Sequence, residues 1–194
     1  MSIDAHLSQR VKDLRKARDL TLERLAELSG VSRSMISLIE RGETSPTAAV
    51  LNKLADALEV TMASLFSEES RSVQEMPLAR FAQQQVWTDP DSGYTRRQVS
   101  PSGYASPIEL AEVTFPAGAR VAFENLVRNV VVHQQLWILE GEMVITLGEK
   151  AWRLQTGDCL ALGIHQHIVF HNPTRKRARY LVALTASTYP VRRP

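Results

Sequence analysis

The stretch Leu20 to Gly42, LTLERLAELSGVSRSMISLIERG, decides the fold of the first third of the chain. It contains the start signals of two short helices. Thr21 precedes the first and Ser32 the second, and a hydroxyl at each position can accept a hydrogen bond from an unpaired amide of the first turn. Gly30 lies between them, where a tight turn favours a residue that can take a positive φ. The pattern predicts two helices joined by a short turn.

Apolar side chains recur at helical spacing in both segments, namely at Leu22, Leu25, Ala26, Met35, Ile36 and Ile39. The small side chain of Ala26 lets the two helices approach closely. If these sides pack together, the start of the second helix projects outward, with Ser32, Arg33, Ser34 and Ser37. This is the helix-turn-helix arrangement, whose second helix enters the major groove of DNA. The alternative is an ordinary helical hairpin in a small bundle.

Composition neither requires nor excludes a nucleic-acid partner. The chain has 194 residues and a formal net charge of +2, and residues 1–66 contain nine Lys or Arg and nine Asp or Glu. A DNA-binding hypothesis therefore rests on the motif and on local charge, such as the basic cluster from Arg10 to Arg18.

Cysteine content and hydropathy indicate the compartment. The single Cys159 cannot form an internal disulfide and is typical of a reducing cytoplasm. We see no charged-then-apolar leader and no apolar run of ~20 residues, so we expect a cytoplasmic protein without a membrane partner.

Further helices surround the central motif. Leu7, Val11 and Leu14 recur at helical spacing and predict a first helix over about residues 4–18. Thr47 is placed to cap a fourth helix and Thr61 a short fifth one. We therefore expect a five-helix domain in residues 1–66.

The helical domain resembles the xenobiotic-response-element (XRE) family of phage-repressor-like regulators over Leu7 to Phe66. The resemblance is carried by Arg15–Arg18, Thr21–Ala26, Gly30–Ser32, Ile39–Gly42 and Leu54–Leu58. It implies a lambda-repressor-like fold that reads operator half-sites as a dimer.

The resemblance also implies DNA-contacting positions. Arg33, Ser34 and Leu38 occupy positions that read base edges, and Arg33 can pair with guanine O6 and N7. Leu38 departs from the polar readers of the family and can at most touch a thymine methyl. Backbone-contacting positions are Thr21, Ser32 and Arg41, and Ser37 completes the outward set. The alternative for each arginine is a solvated surface charge.

Two further residues, Arg15 and Glu40, occupy positions that pair in the family, and the pair is expected to brace the first helix against the recognition helix.

After a polar linker over residues 67–80, the pattern changes to short strands separated by turns. The predicted strands are Ile108–Phe115, Gln135–Leu139, Met143–Leu147, Cys159–Leu162, Ile168–Phe170 and Tyr180–Leu184. Their spacing is typical of an all-β barrel or sandwich over residues 81–194. The chain is therefore predicted to be a multidomain α + β protein.

The strand-rich part resembles the cupin family, a double-stranded β-helix or jelly-roll barrel, from about Ile108 to Leu184. The resemblance is carried by Leu136–Met143, Leu154–Asp158 and His171–Pro173. In cupins, two histidines and a glutamate of the first motif and one histidine of the second hold a metal. Here Gln134 takes the glutamate position and Ile168 the last histidine position.

Arg128 and Val130, or their neighbours, take the remaining ligand positions, so no metal and no cofactor is expected. His165 and His167 are an alternative pair of ligands, but two histidines without a nearby carboxylate make a poor site.

A barrel without metal ligands suits binding of a small organic effector. The predicted pocket residues are Arg128, Gln134, Leu136, Ile138, Ile168 and Phe170. The alternative is an interior filled by its own side chains. The opposite strand face carries Trp137, Leu139 and Val169, and we expect it to bury a homodimer interface.

The sequence thus predicts a bacterial transcription regulator that binds a double-stranded DNA operator and a small-molecule effector, and it is not expected to be an enzyme. Two alternatives remain open. One is a cupin-type mononuclear iron oxygenase of the hydroxypropylphosphonate epoxidase type with an accessory helix-turn-helix, which needs two histidines and a carboxylate. The other is a metabolite-binding module whose helical part contacts protein.

Overall fold

The computed structural model describes residues 3–66, 76–102, 104, 106–124, 131–163 and 167–187. Most of the predicted linker, residues 67–75, lies outside this set. We refer to residues 3–66 as the head and to residues 81–187 as the barrel.

The head contains four described α-helices: α1 Ile3–Ala17, α2 Leu22–Ser29, α3 Arg33–Glu40 and α4 Ala48–Ala57. The predicted caps are present. Thr21 Oγ1 accepts from the Arg24 amide at 3.0 Å and Ser32 Oγ from the Met35 amide at 3.2 Å. Gly30 ends α2 with φ 66°, the left-handed conformation that glycine adopts without strain.

The fifth predicted helix is instead a 3₁₀ helix, Ala63–Phe66, and the expectation of five α-helices is corrected to four plus this element. Thr61 caps it as predicted, because its hydroxyl accepts from the Ser64 amide at 3.0 Å. A segment of only four residues cannot develop the repeated i→i−4 hydrogen bonds of an α-helix, and short 3₁₀ helices are common in such positions.

The barrel is made of antiparallel strands in two sheets. The strands are β1 Val86–Thr88, β2 Thr95–Gln98, β3 Glu109–Phe115, β4 Arg120–Phe123, β5 Val131–Glu140, β6 Glu142–Leu147, β7 Lys150–Gln155, β8 Cys159–Gly163, β9 Ile168–His171 and β10 Ala178–Ser187. Within the described residues, one sheet has the order β1-β2-β3-β10-β5-β8 and the other β4-β9-β6-β7. A short 3₁₀ helix, Phe81–Gln83, precedes β1. This is the jelly-roll arrangement of a cupin.

All six predicted strands are present, whereas β1, β2, β4 and β7 were not predicted. The hairpin between β5 and β6 depends on Gly141, which has φ 82°. A Cβ at this position would lie 2.9 Å from the Arg177 carbonyl oxygen. Glycine is therefore required both for the backbone conformation and for the close approach of the neighbouring chain.

The head packs directly on the barrel. The Asp89 carboxylate, between β1 and β2, accepts a hydrogen bond from the Ala48 amide at 2.8 Å. The rings of Phe66 and Trp87 lie 5.7 Å apart between centroids, and both residues are buried. One continuous apolar cluster therefore connects the two parts. Within the described residues, no helix has the length and apolar character needed to cross a membrane.

Candidate functional site

The start of α3 is open to solvent. Ser32, Arg33 and Ser34 are exposed, whereas Ile36 and Ile39 are completely buried beneath them. The buried side holds α3 against the rest of the head, and the exposed first turn is left free of the barrel. This is the geometry that a helix needs to enter a DNA groove.

Arg33 forms an ion pair with a neighbouring carboxylate of the head. Its Nε lies 2.5 Å from Glu23 Oε1, and both side chains are more than half exposed. The pKa of Glu23 is lowered, first by a hydrogen bond from its own backbone amide and further by Arg33. An exposed pair of this kind is weak and exchanges readily with water or a phosphate. The ion pair therefore orients the Arg33 side chain and still allows it to contact DNA.

The other predicted contact residues also have partners inside the head. The Thr21 and Ser32 hydroxyls accept the capping hydrogen bonds, and Ser32 also contacts Ser34 at 3.1 Å. Arg41 donates to Ser37 and to both oxygens of Glu43, and the hydrogen bond to Glu43 raises the pKa of Arg41. The helix-capping hydroxyls can still face a phosphate, because an oxygen that accepts a hydrogen bond can donate its own proton.

Leu38 is half-buried, between the exposed first turn of α3 and the buried side of the helix. The structure thus places the seven predicted DNA-contact positions on or beside α2 and α3. Of these, Arg33 places an exposed cationic side chain on the first turn of α3.

The predicted pair of Arg15 and Glu40 is confirmed. Arg15 Nε donates to Glu40 Oε1 at 2.6 Å and Nη2 to Oε2 at 2.8 Å, while Nη1 donates to the Leu20 carbonyl oxygen at 2.7 Å. The side chains are only 13% and 7% exposed. The hydrogen bond to Glu40 raises the pKa of Arg15. The bidentate contact fixes α1 against the end of α3.

A cavity of about 90 Å³ lies where the head covers the barrel. The head contributes Asn52, Thr61, Met62 and Ala63 to its wall. Three of the predicted pocket residues, Gln134, Ile168 and Phe170, line it from the barrel side, and all three are buried. The position of the cavity means that a ligand in it would contact head and barrel together.

Leu136 and Ile138 are not among the described residues that line this cavity. Leu136 and Ile138 are each 1% exposed and pack with Met143 and Ile145 in the interior of the barrel. That part of the interior is filled by its own side chains, so their assignment to the pocket wall is corrected. Arg128 lies outside the described residues.

Sequence reasoning missed the polar wall of the cavity, which is formed by Tyr94, Arg96 and Tyr180. Arg96 is 8% exposed, and its Nε has no hydrogen-bond partner. Burial lowers the pKa of Arg96 and raises those of both tyrosines. No sequence signal separates Arg96 from the adjacent Arg97, because Thr95–Gln98 is polar throughout and its pattern does not show which arginine points inward.

The residues in the cupin ligand positions do not fit a metal centre. Gln134 and Ile168 replace a carboxylate and an imidazole, and an aliphatic side chain cannot donate to a metal. Among the described residues, no group of three or more His, Cys, Asp or Glu side chains could hold a metal ion. His167 is exposed, and His165 lies outside the described residues.

The outer face of the six-stranded sheet carries exposed apolar surface. Trp137 on β5 is 49% exposed. It lines a shallow cavity of about 300 Å³ together with Gln135, Cys159, Leu181 and Ala183. Of the other residues predicted for this face, Leu139 is half-buried and Val169, which lies in the four-stranded sheet, is only 4% exposed. The apolar surface is therefore centred on Trp137.

Comparison with known proteins matches residues 11–65 to the helix-turn-helix family model HTH_3. The transcriptional regulator SutR of Escherichia coli is 48% identical over 61 residues, which are 31% of this chain and 34% of SutR. The control protein C.SmaI of Serratia marcescens is 35% identical over 36% of this chain and 82% of its own length. The family model lies in the head, and the chain covers about a third of the length of SutR.

Two comparisons extend over nearly the whole chain. The transcriptional regulator PuuR of Escherichia coli is 25% identical over 93% of this chain and 95% of its own length. The crystal structure of an HTH_3 family transcriptional regulator from Vibrio cholerae has a TM-score of 0.71, with 27% identity and 97% of each chain covered. The combination of head and barrel is thus shared with a solved transcription regulator.

Proposed function

The chain belongs to the XRE-type helix-turn-helix family of transcription regulators, and from this premise we propose that it binds a double-stranded DNA operator as a homodimer. We further propose that a small molecule binds in the cavity between head and barrel without a metal and changes the affinity of the protein for the operator. We also propose that the protein is located in the cytoplasm and that it is not an enzyme.

The observation that carries this proposal is the exposed first turn of α3. Ser32, Arg33 and Ser34 are open to solvent on a helix whose other side is fixed by Ile36 and Ile39. Backbone amides and hydroxyls at such a helix start can meet phosphates, and Arg33 can reach a base edge. The bidentate ion pair of Arg15 with Glu40 holds the end of α3 against α1.

A dimer follows from the size of the DNA contact. A single head of this type covers one half-site, and few phosphate contacts give weak binding at physiological salt. The exposed Trp137 surface on the barrel offers an apolar patch for pairing. Pairing of two barrels through this patch would present two heads to one operator.

Effector control follows from the position of the cavity. A ligand changes an equilibrium only as far as its affinity differs between two states. The cavity has one wall from the head and one from the barrel, so any change in how the head sits on the barrel also changes the ligand contacts. Ligand affinity and head position are therefore coupled.

The experiment is selection of DNA from a random pool by the purified full-length chain, followed by gel-shift titration of the enriched sequence. We expect two similar half-sites in inverted orientation, one helical turn or a multiple apart, and an affinity that falls steeply as salt increases. Enrichment of no sequence, with equal binding to all fragments, would contradict the proposal.

Metal analysis of the same preparation separates this function from the iron oxygenase alternative. We expect no stoichiometric iron, because Gln134 and Ile168 cannot replace the missing ligands. Iron at one equivalent per chain would favour the enzyme instead.

A further inference from the structure

The cavity between head and barrel contains a buried positive charge. Arg96 lines its wall and is 8% exposed. The hydrogen bonds and ion pairs of the described residues include none from its guanidinium, and its Nε is completely shielded without a partner. Burial of an unpaired guanidinium is strongly unfavourable, so such a group is retained where another molecule supplies the negative charge.

The surroundings of Arg96 compensate this charge only in part. The guanidinium carbon lies 5.9 Å from the centroid of the Phe66 ring, which provides a weak cation–π contact. Glu109 is near enough that each group affects the pKa of the other. However, no ion pair joins the two within the described residues, and Glu109 Oε2 is itself buried without a partner. An acceptor in contact with Arg96 is therefore missing.

The rest of the wall is apolar and aromatic. The Tyr94 ring stacks on Phe115 and the Tyr180 ring on Phe170, with interplanar angles of 11° in both pairs. Phe123 and Ile168 extend the apolar wall. An inorganic anion would leave this surface without contact, whereas a short hydrocarbon chain would fill it.

We infer that the cavity binds a small organic acid, whose carboxylate pairs with the Arg96 guanidinium and whose short hydrocarbon part packs against Phe123 and Phe170. The volume of about 90 Å³ limits the ligand to a few non-hydrogen atoms beyond the carboxylate, since a single water already needs on the order of 10–15 Å³. This inference rests on the proposed effector role of the same cavity and names the chemical class of the effector.

The same contact connects ligand binding to the head. Phe66, at the end of the 3₁₀ helix of the head, lies against Arg96, and Thr61 and Met62, which directly precede this helix, line the cavity. A carboxylate on Arg96 would neutralise the charge that faces this part of the head. The ligand thereby acts on the surface that holds the head to the barrel.

The test is calorimetric titration and thermal melting of the full-length chain with straight-chain carboxylates from acetate to hexanoate and with the matching amides. Chloride and inorganic phosphate are run at equal ionic strength. We expect saturable binding and a rise of melting temperature with at least one carboxylate and none with its amide. We expect Arg96→Gln to weaken that binding about ten- to a hundredfold, as loss of a charge-assisted hydrogen-bond pair does.

Arg97→Gln is the matched control, since Arg97 is the next residue on β2 and stacks on Phe81 outside the cavity. It should leave carboxylate binding unchanged. Equal binding of amide and carboxylate, or no binding by any of the acids, overturns the inference even if Arg96→Gln fails to fold, because those measurements use the unaltered protein. Equal stabilisation by phosphate would assign the site to inorganic anions. Operator binding is measured separately by gel-shift titration. Absence of operator binding would contradict the proposed function but not the inferred chemical class of the ligand.

Discussion

The carboxylate of Asp89 in the barrel caps helix α4 of the head, because its Oδ1 accepts the amide proton of Ala48 at 2.8 Å. Its second oxygen accepts the Ser92 amide at 2.9 Å and so fixes the turn between β1 and β2. The cap that α4 has within the head is weaker, since Thr47 Oγ1 lies 3.4 Å from the Val50 amide. One buried carboxylate thus stabilises a helix start and the attachment of the head to the barrel.

Replacement of Asp89 by Ala should lower the free energy of unfolding by about 1–3 kcal/mol, because it leaves a buried amide without an acceptor. Differential scanning calorimetry measures the loss. Asp91→Ala, in the exposed part of the same turn, is the control and should change stability by less than about 0.5 kcal/mol. Equal effects of the two substitutions would show that the cap does not stabilise the protein.

Removal of Glu40 should be more costly than removal of an exposed partner. Glu40→Ala leaves Arg15 buried and unpaired, and we expect a loss of about 3–5 kcal/mol in urea unfolding. The double replacement of Arg15 and Glu40 by Met should cost less than Glu40→Ala alone, because no uncompensated charge remains. Glu27→Ala, which breaks the exposed pair with Arg24, is the matched control at about 0–1 kcal/mol. A double replacement that costs as much as Glu40→Ala, or more, would contradict a buried, coupled pair.

The head was predictable because its signals are local. Thr21, Ser32 and Thr47 act within their own first turns, and Gly30 acts within its own turn, so a single sequence contains the information for each helix end. The pair of Arg15 with Glu40 came from the family resemblance and not from spacing. The fifth element ends at Phe66, whose ring packs on Trp87 of the barrel, and such a contact between distant parts of the chain is not contained in local signals.

The barrel was predictable only where apolar residues alternate. In β2, the buried positions are Arg96 and Gln98, which is the reverse of the pattern that identifies a half-buried strand. The inward polar residues face the cavity and the head, so their burial depends on contacts between distant parts of the chain. The same reason explains why Arg96 was missed, whereas strand parity predicted the inward direction of Gln134, Ile168 and Phe170, which are buried.

Stability should depend on pH through Glu109. Burial raises the pKa of Glu109 above the ordinary 4.5, and Arg96 and Thr61 oppose the rise. The folded chain therefore holds this proton more tightly than the unfolded chain. The resulting stabilisation is complete below the unfolded pKa and is lost as pH rises through the folded pKa.

Glu109→Gln keeps the neutral form at every pH, so its melting temperature should exceed that of the unaltered chain by a margin that grows from pH 4 upward and then levels off. Melting curves of both proteins from pH 4 to 8 measure this margin. Glu149→Gln, in the exposed turn between β6 and β7, should show no such growth. A margin for Glu109→Gln that is constant with pH would contradict the burial of a titrating carboxyl.

Arg33→Ala should weaken operator binding by about 1–3 kcal/mol and relax the preference at one base pair of each half-site. The physical reason is the loss of a guanidinium that reads a base edge, after release from its exposed pair with Glu23. Gel-shift titration against the selected operator and its single-base variants measures both effects. Arg24→Ala removes an exposed arginine that is paired with Glu27 on α2 and serves as control. Equal loss on all sequences would identify Arg33 as a phosphate contact only.

Trp137→Glu should convert the proposed dimer into monomers, because it places a charge in the centre of the apolar patch on β5. The indole is 49% exposed beside Leu181 and Ala183, and a stable dimer needs about 800 Å² of such surface from each partner. Light scattering after size-exclusion chromatography measures the mass.

Val86→Glu, an exposed position on strand β1 at the far edge of the same sheet, is the control and should remain dimeric. A dimer that survives Trp137→Glu, or that Val86→Glu also dissociates, would place the interface elsewhere. A monomer produced by Trp137→Glu alone should also lose most of its affinity for the full operator while it still binds a single half-site weakly, because each head is unchanged and only their pairing is lost.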